Sequence, residues 1–249
     1  RVEKKKSYTL YHNENGKTIG VASCPIIEVD GLVFKDLERT GRLVPYADWR
    51  LDADTRAEDL ANRLSVEEMY SPHQMLPAVP FGPFQGTYNG TTLEESGKNE
   101  WDLTDQQEKI LTEDHIRHLL ITGIKSAELA AKWSNTMQAF VEKLPHGIPV
   151  NVSSDPRHGA GKAAVEFKSE ANEVSKWPEG LGLASTFDPG VCKAYAETVA
   201  TEYRALGIAT ALSPQIDLGT EPRWMRFEDT FGCNPELVTA FAKAYCDGL

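Results

Sequence analysis

Cysteine is scarce in this sequence: Cys24, Cys192, Cys233 and Cys246 are the only four in 249 residues, and no two stand in a CxxC spacing. That pattern argues against the common zinc ligand sets and against a disulfide framework, so buried or free thiols are expected. Long apolar runs are missing too. The longest candidate, "LLITGI" at 119–124, falls far short of the ~18 residues that a membrane-spanning helix needs. Positive charge is in deficit, with 26 Lys and Arg against 37 Asp and Glu and a formal net charge of −11. A surface of that sign repels phosphate backbones and anionic lipid heads, which argues against nucleic acid as a partner. Glycine-rich phosphate loops are also absent, since neither GxGxxG nor GxxxxGK[ST] follows any apolar run.

What is present is an alternation of short apolar runs and amphipathic stretches. "HLLIT" (118–122) reads as a strand and "SAELAAKWSNTMQAFVEKL" (126–144) as a helix with Leu129, Trp133, Met137, Phe140 and Leu144 on one stripe. "GIPVNVS" (147–153) reads as the next strand, which completes a βαβ unit. Asp188 and Pro189 then supply an N-cap and a first-turn proline for a helix running to Leu206, where Gly207 stops it. "IATAL" (208–212) is a further strand, the 182–187 region is a possible fourth, and Asn234 with Pro235 opens a last helix. Upstream, helical signals begin at Thr55, with Ala57, Leu60, Ala61 and Leu64 on one face, and Ser65 with Glu68 has capping-box spacing. Residues 77–100, rich in Pro, Gly, Thr and Asn, read as a long loop.

Residues 1–50 are polar and turn-rich without a clear period, so they read as an N-terminal extension packed on a main domain covering 51–249. The chain starts at Arg1 rather than Met, from which removal of a leader or an upstream segment is expected. Strands alternating with helices give an α/β fold with a parallel sheet, either doubly wound or closed as a (β/α)8 TIM-type barrel. The lack of phosphate loops turns the choice toward the barrel, of which the convincing strands here make up only the N-terminal portion.

Both architectures place chemistry at the C-terminal ends of strands. Two polar clusters fall there: Ser154, Asp155, Arg157 and His158 within "VSSDPRHGAGKA" (152–163), and Asp217, Glu221, Arg223, Arg226, Glu228 and Asp229 within "SPQIDLGTEPRWMRFEDTFG" (213–232). Carboxylates mixed with guanidinium and aromatic groups suit a neutral polyhydroxylated ligand, whose hydroxyls both donate and accept. Trp177 in "WPEGLGLASTFDP" (177–189) is a further possible contact, although a core tryptophan explains it equally well. Other chemistries fit less well. Ser153, Ser154, Asp155 and His158 lack the GxSxG elbow of a serine hydrolase. His115 and His118 lie on the N-terminal side of their strand, with Glu113 and Asp114 beside them, and read as surface or capping residues rather than metal ligands. "DLERTGRLVPYAD" (36–48) has a calcium-loop look in Asp36, Glu38, Thr40 and Gly41, but its twelfth position is Ala47 and no bidentate carboxylate closes a cage. A plain turn is the better reading.

The succession "IPVNVSSDPRHG", "WPEGLGLASTFDP" and "EYRALGIATALSPQIDLGTEPRWMRFEDTFGCNPELV" resembles the N-terminal barrel domain of family 3 glycoside hydrolases of the bacterial β-glucosidase type. "RLSVEEM" (63–69) and "FKDLERTGRLVPYADWR" (34–50) are similar to earlier segments of such enzymes, so the likeness spans residues 34–249. The resemblance implies an exo-acting retaining β-glycosidase that removes terminal non-reducing β-linked glucose or a similar sugar from an oligosaccharide or β-glucoside, without a metal or organic cofactor. It places the family's sugar-binding aspartate on Asp155 and the arginine closing its PRWGR motif on Arg226, with Arg223, His158 and Trp177 as possible accessories. Met225 replaces a glycine of that motif, and "FGCNP" replaces FGEDP.

The family's aspartate nucleophile and acid/base glutamate fall outside these residues, so no catalytic carboxylate is expected in this chain. The remainder of the barrel and a following domain, in cis or as another chain, are the expected partners, and residues 1–249 alone are expected neither to hydrolyse glycosides nor to fold well. Periplasmic or secreted location is implied by the resemblance alone. A noncatalytic carbohydrate-binding or scaffold piece is the alternative. Sugar and linkage stay open.

Overall fold

A computed structural model describes residues 1–70, the main chain of 73–76, and residues 86–159 and 173–249. The chain opens with a three-stranded antiparallel meander, β1 (Val2–Lys4), β2 (Thr9–His12) and β3 (Thr18–Val21), followed by a hairpin of β4 (Ile26–Val29) and β5 (Leu32–Lys35). The hairpin turns at Asp30 and Gly31, whose φ values of 53° and 74° are the left-handed pair that an Asp-Gly turn supplies. Residues 1–50 therefore contain five short strands, where no period was legible. Each strand is three or four residues long, too short for alternation to stand out.

Asp36 spends its carboxylate on the main-chain amides of Thr40 (3.0 Å) and Gly41 (2.7 Å). Glu38 accepts from the Tyr46 hydroxyl at 2.8 Å and lies 2.7 Å from His146 Nδ1. Asp36 thus closes its own turn, and Glu38 ties that turn to the segment around His146.

Helix α1 (Ala53–Ala61) is capped by Asp52, whose carboxylate accepts from the Thr55 amide, and α2 (Val66–Met69) carries the full Ser65–Glu68 capping box. Strand β6 (His73–Leu76) follows, in a stretch to which the sequence reading gave no strand. Within the expected long loop, residues 77–85 lie outside the described residues, and α3 (Leu93–Ser96) forms behind a Thr92–Glu95 capping box. Helix α4 (Asp105–Thr112) starts on another such box, Thr104 with Gln107.

The alternating part is β7 (His118–Ile121), α5 (Ala127–Val141), β8 (Asn151–Ser154), α6 (Gly180–Ala184), α7 (Pro189–Leu206), β9 (Thr210–Ala211) and α8 (Pro235–Gly248). The 182–187 region is therefore helix and turn, not a fourth strand. A short apolar run does not distinguish the two by period, and Gly180 sits where a Cβ would collide with the Asp229 carbonyl. The sheet is parallel, in the sequential order β6-β7-β8-β9, with Leu119 opposite Val152 and Ser153 opposite Thr210. Strand β8 starts four residues later than "GIPVNVS" suggested, because Pro145–Gly147 form a 3-10 turn.

Behind the sheet, Leu119, Ile121, Val152 and Ile208 are buried against Trp133, Met137 and Val141 of α5 and Val199 and Leu206 of α7. Phe241 and Tyr245 of α8 close the core on α7. Full burial of each such aliphatic or aromatic side chain is worth ~1.5–3 kcal/mol, so this layer fixes where the strand ends emerge. All four cysteines are free, Cys24 and Cys192 buried and Cys233 and Cys246 exposed. Among the described residues no helix is long and apolar enough to cross a membrane, and no group of three or more His, Cys, Asp or Glu side chains is placed to hold a metal ion.

Candidate active site

Where β8 ends, the buried Arg157 folds back over the strand, donating from Nε to Ser154 Oγ at 2.6 Å and from its terminal nitrogen to the Ile121 carbonyl. Ser153 Oγ donates to the Leu119 carbonyl at 3.1 Å. The Asp155 carbonyl in turn accepts from Ser154 Oγ (2.9 Å) and from the Tyr203 hydroxyl (2.6 Å). The turn is thereby held by buried side chains, and Asp155 is half-buried at its edge.

His158 is fully buried, with Nε2 2.8 Å from a Glu202 carboxylate oxygen and its ring against Tyr203 and Tyr195. Desolvation pushes the imidazole pKa below its ordinary value even though Glu202 pulls the other way, so the neutral ring donates to Glu202. Burial alone would raise the pKa of Glu202, but hydrogen bonds from Ser175 and His158 outweigh it and leave the carboxylate below its usual range. The Glu202 carboxylate also accepts from the Ser175 amide at 3.0 Å, while the Trp177 amide donates to the His158 carbonyl at 2.7 Å. His158 and Glu202 therefore fasten the 173–177 segment to the end of β8.

The loop after β9 is fixed at both ends. The Leu212 amide donates to the Ser154 carbonyl at 2.8 Å, and the Gly219 amide to the Gly232 carbonyl at 2.9 Å. Between these points Ser213 Oγ lies 2.8 Å from the Tyr245 hydroxyl.

A cavity of about 270 Å³ opens between the two strand-end loops. Asp155 faces it from β8, Gln215, Asp217, Arg226 and Asp229 from the β9 side, and Glu179 from ahead of α6. Tyr195, Tyr245 and Phe231 supply ring surface to its wall. Asp155 and Arg226, the two residues singled out from the sequence, thus share one cavity. Arg226 holds its guanidinium 5.4 Å from the Trp224 ring centroid, and a guanidinium over a ring face can still donate in its own plane.

Arg223, His158 and Trp177 do not line this cavity. Arg223 is exposed and paired with Glu221 at 2.8 Å, an ion pair that holds the glutamate pKa at about 2. Trp177 packs on Tyr195 and donates from Nε1 to Ser175 Oγ at 3.1 Å, so it stands behind the wall rather than in it. Glu179 and Gln215 were not singled out from the sequence. Glu179 had a signal in Gly159, where a Cβ would collide with its carboxylate, so glycine there allows the acid to lie against the end of the β8 turn.

Carboxylates that accept, a guanidinium that donates and ring faces between them can together grip a compact polyhydroxylated ring. The family described as "Glycosyl hydrolase family 3 N terminal domain" matches residues 87–249. The chain belongs to that family.

Among curated proteins, this family 3 chain is 37% identical over 227 residues to a "Periplasmic beta-glucosidase/beta-xylosidase" of Dickeya chrysanthemi, covering 90% of this chain and 33% of the relative. It is 36% identical over 206 residues to a "Probable beta-glucosidase C" of Aspergillus oryzae, covering 82% of this chain and 30% of the relative. The family 3 chain thus spans about a third of the length of the curated relatives it matches. A solved β-glucosidase from Erythrobacter marinus superposes with a TM-score of 0.59 at 24% identity, over 82% of this chain and 24% of that one. A family 3 β-N-acetylglucosaminidase from Paenibacillus superposes with a TM-score of 0.52 at 19% identity, over 74% of this chain and 31% of that one. The fold is shared with both.

Proposed function

We propose that residues 51–249 are the N-terminal portion of a (β/α)8 barrel, carrying residues 1–50 as an extension, in an exo-acting retaining β-glycosidase of the β-glucosidase type. The sequential strand order β6-β7-β8-β9 supports the barrel, because doubly wound sheets reverse direction at a switch point. The observation that carries the reading is that Asp155 and Arg226, on loops after different strands, line one cavity at the C-terminal side of the sheet. Asp155 accepts hydrogen bonds from two hydroxyls of the terminal sugar, and Arg226 donates to another, so the ring is oriented before the glycosidic bond breaks.

Retention of configuration requires a nucleophilic carboxylate and an acid/base carboxyl ~5 Å apart across that bond. Both are assigned to parts of the protein outside this chain, supplied in cis or by another chain. The names of the relatives support a β-glucoside or β-xyloside as substrate, and the name of the Dickeya enzyme supports a periplasmic location.

The test is to make Asp155→Ala and Arg226→Lys in the full-length protein and measure kcat/KM on an aryl β-glucoside and an aryl β-xyloside. Asp155→Ala is expected to lower kcat/KM by at least ~100-fold. Arg226→Lys is expected to impair turnover although the charge is kept, because an ammonium cannot copy the two directed bonds of a guanidinium. Near-normal turnover in Asp155→Ala would overturn the assignment.

A further inference from the structure

We infer that Tyr203 is a positioning residue for the sugar site, acting through the main chain of Asp155; this rests on the reading of Asp155 given above. Tyr203 is on α7, a helix in the layer behind the sheet, and its phenol passes through the core to donate to the Asp155 carbonyl at 2.6 Å. Ser154 Oγ donates to the same oxygen at 2.9 Å. Pro156 follows, which restricts Asp155 to extended backbone angles and removes one main-chain donor from the turn. Two hydroxyls on one carbonyl, next to a restricted φ and ψ, fix the peptide plane and with it the direction in which the Asp155 carboxylate leaves the chain.

The partner hydroxyl is itself held. Arg157 Nε donates to Ser154 Oγ at 2.6 Å, so that oxygen cannot swing away. Burial pushes the Tyr203 phenol above its ordinary pKa, so at neutral pH it keeps the proton it donates. A carboxylate that must meet two sugar hydroxyls tolerates little angular error, and displacement by a fraction of an ångström weakens contacts that strengthen toward the transition state.

The experiment is a double-mutant cycle on the full-length protein with Tyr203→Phe and Asp155→Ala, assayed on an aryl β-glucoside. The phenyl ring keeps the packing, so the midpoint of thermal unfolding is expected to move little. Tyr203→Phe alone is expected to lower kcat/KM roughly tenfold. In the Asp155→Ala background the same change is expected to have no further effect, because there is no carboxylate left to aim. Ser154→Ala provides a second variant with the same expected loss of effect in that background. An equal loss in both backgrounds would assign Tyr203 a structural role and overturn the inference. So would wild-type kinetics for Tyr203→Phe alongside an impaired Asp155→Ala. Near-normal activity of Asp155→Ala itself would instead overturn the sugar-site reading, and the inference with it.

Discussion

Glu142, the residue that ends α5, lies 2.6 Å from the Lys35 ammonium on the N-terminal hairpin. Its carboxylate also accepts from the main-chain amides of Ala22 (2.9 Å), Ser23 (2.7 Å) and Cys24 (3.1 Å). One buried acid on a helix behind the sheet therefore fastens both the meander and the hairpin, and the extension is positioned by the same helix that supports β7 and β8.

That arrangement makes a local stability prediction. Burial alone would raise the Glu142 pKa, but the Lys35 charge and the amide donors outweigh it and hold the acid below its ordinary value of 4.5. A carboxylate with a depressed folded pKa contributes stability above its unfolded value that is lost as pH falls through the folded one. Glu142→Ala should cost about 2 kcal/mol, because it removes the acceptor shared by three amides, of which that of Cys24 is buried, and leaves the half-buried Lys35 ammonium without its partner. Hydrogen exchange of a peptide covering 22–35 should rise sharply in this variant at pH 7. In the wild type the same rise should appear only below pH 4.5. Unchanged exchange in Glu142→Ala would show that the extension is held by other contacts.

Gly207 closes α7 with φ at 84° and leaves no space for a Cβ, which would meet Ser134 Oγ on α5. Gly207→Ala should therefore be destabilising by roughly 1–3 kcal/mol through left-handed strain and overlap together. Gly207→Ala combined with Ser134→Gly relieves the overlap and should recover part of the loss, leaving the backbone share. Urea unfolding separates the two contributions. Glycine inside α5 has its own cost, so the double variant is compared with Ser134→Gly alone. A Gly207→Ala loss as large in that background as in the wild type would place the whole cost in the backbone.

The caps around these elements were legible because capping is chemistry among near neighbours. Asp188 with Pro189, Asn234 with Pro235, and Ser65 with Glu68 each mark a helix start that the structure contains. The Asp30-Gly31 turn was equally local, yet its flanking strands are too short to show a period. Strand β6 is defined by its pairing with β7, His73 opposite His118, and no neighbouring residue announces that pairing. Asp155 and Arg226 could be placed at strand ends from the alternation of elements and from the family resemblance. Tyr203 could not, because a tyrosine on the inner stripe of a helix looks like core packing until its hydroxyl is seen on the Asp155 carbonyl. Glu179 was missed for a similar reason: its one signal, Gly159, is distant in sequence and gains its meaning only where the fold brings the two together.

His158 and Glu202 give a pH dependence of definite sign. The imidazole is buried and neutral, with its pKa below the ordinary 6.5 mainly through desolvation. Below pH 6.5 the unfolded chain takes up a proton at this residue while the folded one does not, so stability falls as pH drops from about 6.5 toward the folded value. Glu202, whose folded pKa also lies below its ordinary value, acts in the same direction at lower pH, its contribution disappearing as the carboxylate is protonated. His158→Phe removes the first effect but leaves Glu202 without its ring donor. His158→Gln is the better probe, because its amide can still donate to Glu202 and does not titrate. The wild type should lose urea stability between pH 6.5 and 5 with a slope that His158→Gln lacks, and below pH 4.5 the two should fall together. Parallel curves from pH 7 down to 5 would mean that His158 titrates alike in the folded and unfolded chains, and the buried neutral pair would have to be abandoned.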